Sequence, residues 1–218
     1  MVRKEVIGNA MLYLGNCLEV LPLIPAVQIA VVTDPPYGDS HASMRGATWA
    51  GKQIAGDDST EGRDAVREWV HDRPWAFCGT WKVRAPRGTR GTLAWDKGDA
   101  GSGDLSFPWK PSWELVFVGG IGWKGHRGPG LLRGKQVITW ESKGRLHPHE
   151  KPVWLFEQLL EKLPQEYTVI DPFMGSGTCG VACHRLGRSY IGVEVDAHHF
   201  GNALERIENA KRQEGMFA

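Results

Sequence analysis

Four consecutive residues, Asp34-Pro35-Pro36-Tyr37, carry the sharpest chemical signal in the chain. Two adjacent prolines fix φ and remove two amide donors, leaving a rigid turn with outward-facing carbonyls. A carboxylate, carbonyls and an aromatic ring on one turn suit a planar substrate that carries an exocyclic amine. The lone pair of such an amine is delocalised into its ring. Accepting its hydrogens in hydrogen bonds restores nucleophilicity toward an electrophilic methyl. The Asp34 carboxylate and the Pro35 carbonyl are the candidate acceptors, and Tyr37 can stack on a base rotated out of a duplex. The plainer alternative is a proline-rich turn with an aromatic plug.

A second signal is Asp171-Pro172-Phe173-Met174-Gly175-Ser176-Gly177-Thr178. Glycines between a strand and a helix let a ligand approach the backbone, and the helix N-terminus offers free amides to an anion such as a carboxylate. Alone, Gly-x-Gly can be only a tight turn. Its weight comes from Glu194, 23 positions after Asp171 at the end of the next strand, where an acid can accept from ribose hydroxyls. The third signal is His147-Pro148-His149-Glu150-Lys151-Pro152, in which Lys151 can bring a charge near a cofactor carboxylate. No metal is expected: His-x-His without a partnered Cys or carboxylate cluster is poor zinc evidence, and His198-His199 and Cys179/Cys183 read as surface and core residues.

Taken together, these motifs resemble the DNA amino-methyltransferases in their β arrangement, where Asp-Pro-Pro-Tyr comes first and Phe-x-Gly-x-Gly lies near the C-terminus. Gly15-Asn16-Cys17-Leu18 looks like the family's opening Gly-Asp-x-Leu, with Asn16 where Asp is usual. His147 to Pro152 matches His-Pro-x-x-Lys-Pro, and Ile191 to Glu194 matches Ile-Gly-x-Glu. The resemblance implies S-adenosylmethionine as cofactor, held by Asn16, Asp34, Lys151, Asp171, Phe173, Gly175, Ser176, Gly177, Thr178 and Glu194. Catalysis then falls to Asp34, Pro35, Pro36 and Tyr37, acting on N6 of a flipped-out adenine without a covalent intermediate. Cytosine N4 is the alternative, although family members acting there more often carry Ser before Pro-Pro-Tyr; RNA methylation and a non-catalytic nucleic-acid-binding module are more distant ones. The resemblance leaves open a solitary methylase, a phage product or half of a restriction pair.

These residues need elements to position them. Apolar runs at Ile29–Thr33, Tyr167–Ile170 and Tyr190–Val193 read as buried parallel strands. Helical spacing over Thr178–Leu186 makes residues 167–195 a βαβ unit. Further helices are expected at Asp64–Val70, Val153–Leu163 and His198–Arg212, and further strands at Met11–Leu14, Trp75–Cys78, Thr92–Trp95 and Trp113–Val118. The fold class expected is α/β: a class I, Rossmann-like methyltransferase, with a mostly parallel seven-stranded sheet, one antiparallel strand and helices on both faces. Residues 1–218 read as a single domain, with the strand at Met11–Leu14 beside that at Tyr190–Val193.

The composition, 41% hydrophobic and 23% charged, is that of an ordinary globular protein. No apolar run approaches the roughly 18 residues of a membrane span, and no signal-peptide core follows the start. Four scattered cysteines argue against a disulfide framework and for a reducing interior; the family resemblance implies the cytoplasm of a bacterial or phage-infected cell. The net charge of +1 hides two basic runs. Arg84, Arg87 and Arg90 with Lys82, and then Lys124, Arg127, Arg133 and Lys135, are candidate phosphate contacts for double-stranded DNA. Little chain remains for a separate recognition domain, so target-recognition loops are expected within 38–58, 82–92 and 119–145. Of the ten tryptophans, nine lie between Trp49 and Trp140. Most read as core, and Trp49 and Trp123 as base-stacking or wedge candidates. A homodimer is possible on the sequence alone.

Overall fold

The computed structural model describes residues 2–25, 27–38, 59–98, 106, 108–109, 112–134 and 151–215. Its strands, in chain order, are β1 (Arg3–Ile7), β2 (Ala10–Leu14), β3 (Ile29–Thr33), β4 (Trp75–Gly79), β5 (Thr89–Asp96), β6 (Trp113–Gly119), β7 (Leu131–Leu132), β8 (Thr168–Asp171) and β9 (Tyr190–Glu194). The helices are α1 (Cys17–Val20), α2 (Glu61–Val70), α3 (Val153–Leu160), α4 (Thr178–Arg185) and α5 (Ala197–Gly215). None of them is long and apolar enough to cross a membrane.

The described strands form one sheet in the order β1-β2-β9-β8-β3-β4-β6-β5-β7. β2, β9, β8, β3 and β4 run parallel, whereas β6 is antiparallel to both β4 and β5. The expected seven strands with one reversed are present from β2 to β5, and Met11 pairs with Ile191 as anticipated. The sheet is nonetheless not seven-stranded. β1 adds a reversed edge through a two-residue Gly8-Asn9 hairpin, with Gly8 at φ 57°, and β7 adds two residues beyond β5.

β3 sits in the middle because all five of its residues are apolar or β-branched and fully buried, as a strand covered on both faces requires. The period of two splits its side chains: Ala30 and Val32 join one core with Leu155, Leu159, Phe200 and Ile207, under α3, α4 and α5. Ile29 and Val31 join a second core with Val66, Val70, Trp75, Phe77 and Ile170, under α1 and α2. Between these layers the carboxyl ends of β2, β9, β8, β3 and β4 all point the same way, at Leu14, Glu194, Asp171, Thr33 and Gly79. A crevice at that edge is where an open α/β sheet binds its ligand.

Candidate active site

Asp34 begins where β3 ends, so the turn over Pro35, Pro36 and Tyr37 hangs from the central, fully buried strand of the sheet. Asp34 is 27% exposed at its side chain, with Oδ2 3.0 Å from the Lys151 ammonium. Its Oδ1 accepts from the Tyr37 hydroxyl at 3.0 Å. Lys151 enters from just before α3, and its nitrogen also lies 5.2 Å from the centre of the Tyr37 ring. Glu114, on β6, completes the cluster: Oε2 lies 3.3 Å from Lys151 Nζ, and the Tyr37 hydroxyl reaches the same oxygen at 3.5 Å. Lys97, just past β5, holds Glu114 Oε1 at 2.7 Å.

Burial raises the Asp34 carboxyl above its ordinary range, and Lys151 only partly offsets this. Burial disfavours the Lys151 ammonium too, but Asp34, Tyr37 and Glu114 outweigh that and hold it well above the usual lysine range. For Glu114, burial is outweighed by Lys151 and Lys97, and its carboxyl stands below the usual range. Lys151, expected from the sequence to bring a charge near a cofactor carboxylate, pairs in the structure with Asp34 and Glu114. Glu114 and Lys97 escaped sequence reading because neither lies in a motif. Their only signal is an acid and a base inside or beside half-buried strands.

The glycine turn leads from β8 into α4. Gly175 (φ 52°) and Gly177 (φ 79°) take left-handed backbone, and a side chain at Gly175 would meet nothing, so its α-carbon faces open space. Glu194 closes the turn, accepting from the Gly175 amide and the Asp196 amide at 2.8 Å each. Phe173 is half-buried, packed on the α2 face. Asp171, Ser176 and Thr178 are buried rather than open to the crevice. Asp171 ties strand ends together: Thr33 Oγ1 donates to Oδ1 at 2.5 Å and the Tyr190 hydroxyl to Oδ2 at 3.2 Å. Burial pushes its carboxyl up to about 7. Gly192 makes room for this, since a Cβ there would strike the Met174 sulfur and the Tyr190 hydroxyl. Arg206, on α5, donates to Ser176 Oγ at 3.1 Å and Thr178 Oγ1 at 2.9 Å. Asn16 caps α1, its Oδ1 accepting from the Leu18 amide at 2.9 Å, so the oxygen proposed for a cofactor amine is already engaged.

The basic candidates fall at two ends of the molecule. Arg133 follows β7 at the crevice end and pairs with Asp96 at 3.1 Å. Arg84 is exposed beside the start of α2, where Arg63 grips its carbonyl. Arg87, Arg90, Lys124 and Arg127 lie at the opposite end: Arg90 donates to the Gly120 carbonyl, Lys124 bonds through its amide to Lys162 O, and Arg127 follows His126, whose carbonyl accepts from Lys162. The antiparallel course of β5 and β6 carries these segments away from the Asp34 turn. Trp123 packs on the core and donates to Gly119 O, contrary to a base-stacking role, whereas Trp81, Trp109 and Trp113 are exposed. Lys135, Trp49, residues 147–150 and most of the 38–58 loop lie outside the described residues.

A family model described as DNA methylase, of the N6/N4 type, matches residues 113–205. Type II methyltransferase M2.DpnII of Streptococcus pneumoniae is 39% identical over 75 residues, 34% of this chain and 27% of that protein. The putative methylase YubD of Escherichia coli K12 is 27% identical over 216 residues, 91% of this chain and 90% of its own length. The aligned segments thus span about a quarter of most of the first matching curated relatives (27%, 26% and 26%) but nearly all of YubD. In fold, the chain is similar to the M1.HpyAVI–SAM complex (TM-score 0.61, 18% identity, covering 90% of this chain and 99% of that one). It is also similar to the PvuII DNA methyltransferase described as cytosine-N4-specific (TM-score 0.65, 17% identity, 95% and 93%).

Proposed function

We propose that this chain, similar over residues 113–205 to the N6/N4 DNA methylases, is an S-adenosylmethionine-dependent DNA methyltransferase acting on N6 of adenine. The observation that carries the reading is the carboxylate of Asp34 at the mouth of the crevice, on a turn fixed by two prolines and flanked by Tyr37. The glycine turn fits the cofactor. Gly175 faces open space, the amides at the start of α4 suit a carboxylate, and Glu194 is half-buried beside them with lone pairs left for ribose hydroxyls. When bound, S-adenosylmethionine supplies the electrophilic methyl.

The chain's own residues do the rest. Asp34 and the Pro35 carbonyl accept the amine hydrogens and return electron density to the nitrogen, and Tyr37 stacks on the flipped base. Asp34 in place of Ser supports adenine over cytosine. Arg84 and Arg133, at the crevice end, are the basic candidates best placed for phosphate contacts, and the loop within 38–58, with the parts of 82–92 and 119–145 around Arg84 and Arg133, would read the site. The test is to incubate duplex DNA from a methylation-deficient host with the protein and labelled cofactor, digest to nucleosides and weigh the product. N6-methyladenine is expected. N4-methylcytosine would move the target to cytosine, and no label in any nucleic acid would end the reading.

A further inference from the structure

Both oxygens of the Asp34 carboxylate are engaged, Oδ2 by Lys151 and Oδ1 by the Tyr37 hydroxyl, each at 3.0 Å. Under the methyltransferase reading, on which this inference rests, the same carboxylate must accept a hydrogen of the target amine. Lys151 cannot simply be let go. Its side chain is 7% exposed, and a buried ammonium without a carboxylate is strongly unfavourable. Glu114 offers the same two donors a second acceptor. Its Oε2 is 3.3 Å from Lys151 Nζ and 3.5 Å from the Tyr37 hydroxyl oxygen. Its other oxygen is anchored by Lys97 at 2.7 Å, so the carboxylate is fixed where the exchange needs it.

We infer that Glu114 is the exchange partner of Asp34: a positioning residue that takes over Lys151 and the Tyr37 hydroxyl as the base amine reaches Asp34. The cluster holds two carboxylates, Asp34 and Glu114, and two ammonium groups, Lys151 and Lys97, so the handover keeps Lys151, the most buried charge, paired, while Asp34, 27% exposed, takes the amine hydrogen in its place. Lys151 already stands within ion-pair reach of both acids, and only a small displacement of its ammonium group is required. At rest the contact keeps Asp34 oriented, and in the complex it frees one lobe of the carboxylate for the amine.

Two measurements on the full chain decide this. In the first, thermal unfolding is compared for wild type, Asp34→Asn, Glu114→Gln and the double variant. Each single variant leaves Lys151 one carboxylate, so each is expected to lower the midpoint only slightly, while the double lowers it by clearly more than the sum. Additive losses would overturn the exchange. In the second, single-turnover methylation of duplex DNA is followed at saturating S-adenosylmethionine. Glu114→Gln should slow the step by about tenfold or more with cofactor Kd changed less than about twofold, and Glu114→Asp should recover part of the rate. A wild-type rate in Glu114→Gln would overturn the role. If wild type itself labels no nucleic acid, the methyltransferase reading fails instead, and the unfolding cycle still tests whether the two acids are interchangeable partners of Lys151.

Discussion

Asp34 carries two demands that pull in opposite directions. Under the proposed function it must be ionised to polarise an amine, yet burial raises its pKa above the ordinary carboxylate range. The sign follows: transfer is lost as pH falls through that raised value, so the acid limb of the rate profile should lie above the usual carboxylate range. A pH–rate series at saturating cofactor checks this. Asp34→Ala should lower the methylation rate by about a hundredfold or more, the scale of a lost transition-state hydrogen-bonding group, while Lys151 keeps Glu114 and the fold holds. Titration calorimetry with S-adenosylmethionine should then show binding little changed; a mutant that methylates near the wild-type rate would remove Asp34 from the chemistry. The identity of these residues was readable from Asp34-Pro35-Pro36-Tyr37. Their partners were not, because Glu114 lies 80 positions downstream of Asp34 and is brought there by strand pairing alone.

Between elements, two polar links tie together the carboxyl edge of the sheet. The first is Asp171, joining β8 to Thr33 of β3 and Tyr190 of β9. Its carboxyl titrates near 7 in the folded chain against an ordinary value of 3.8, so the folded state holds a proton that the unfolded chain gives up earlier. That contribution to stability is fully present below about pH 4 and is lost as pH rises through about 7. Asp171→Asn, which cannot ionise, should flatten this part of a stability–pH curve measured by urea unfolding. The second link is Arg206, which reaches from α5 to Ser176 and Thr178 at the glycine turn. Arg206→Met should weaken S-adenosylmethionine binding several-fold with little loss of rate at saturating cofactor, since it loosens the turn and spares Asp34. Elements with strong periodicity were legible: Ile29–Thr33 and the start of α4 at Thr178 were placed to the residue. β1 was not, because Arg3-Lys4-Glu5 are charged on an exposed edge, although the Gly8-Asn9 pair before Ala10 was a usable hairpin signal.

At the scale of the whole molecule, the sheet sorts the basic residues by end. Arg84 and Arg133 share the crevice end, and Arg87, Arg90, Lys124 and Arg127 the other. If DNA is engaged where the catalytic turn opens, Arg133→Gln should weaken duplex binding and reduce the salt slope by about one, while Lys124→Gln leaves both unchanged. Fluorescence anisotropy of a labelled duplex across a potassium chloride series reads the difference. Sequence alone determined the turns at Asp34 and Gly175, the βαβ unit and the order of the two motifs, because prolines, glycines and apolar periodicity act within a few residues of chain. Only the tertiary structure decided which charges meet. Lys151 lies with Asp34 and Glu114, Ser176 and Thr178 face Arg206, and four of the six described basic candidates lie at the end away from Asp34. Those outcomes depend on strand order and direction, and on which buried charge finds which partner, and neither is written in local spacing.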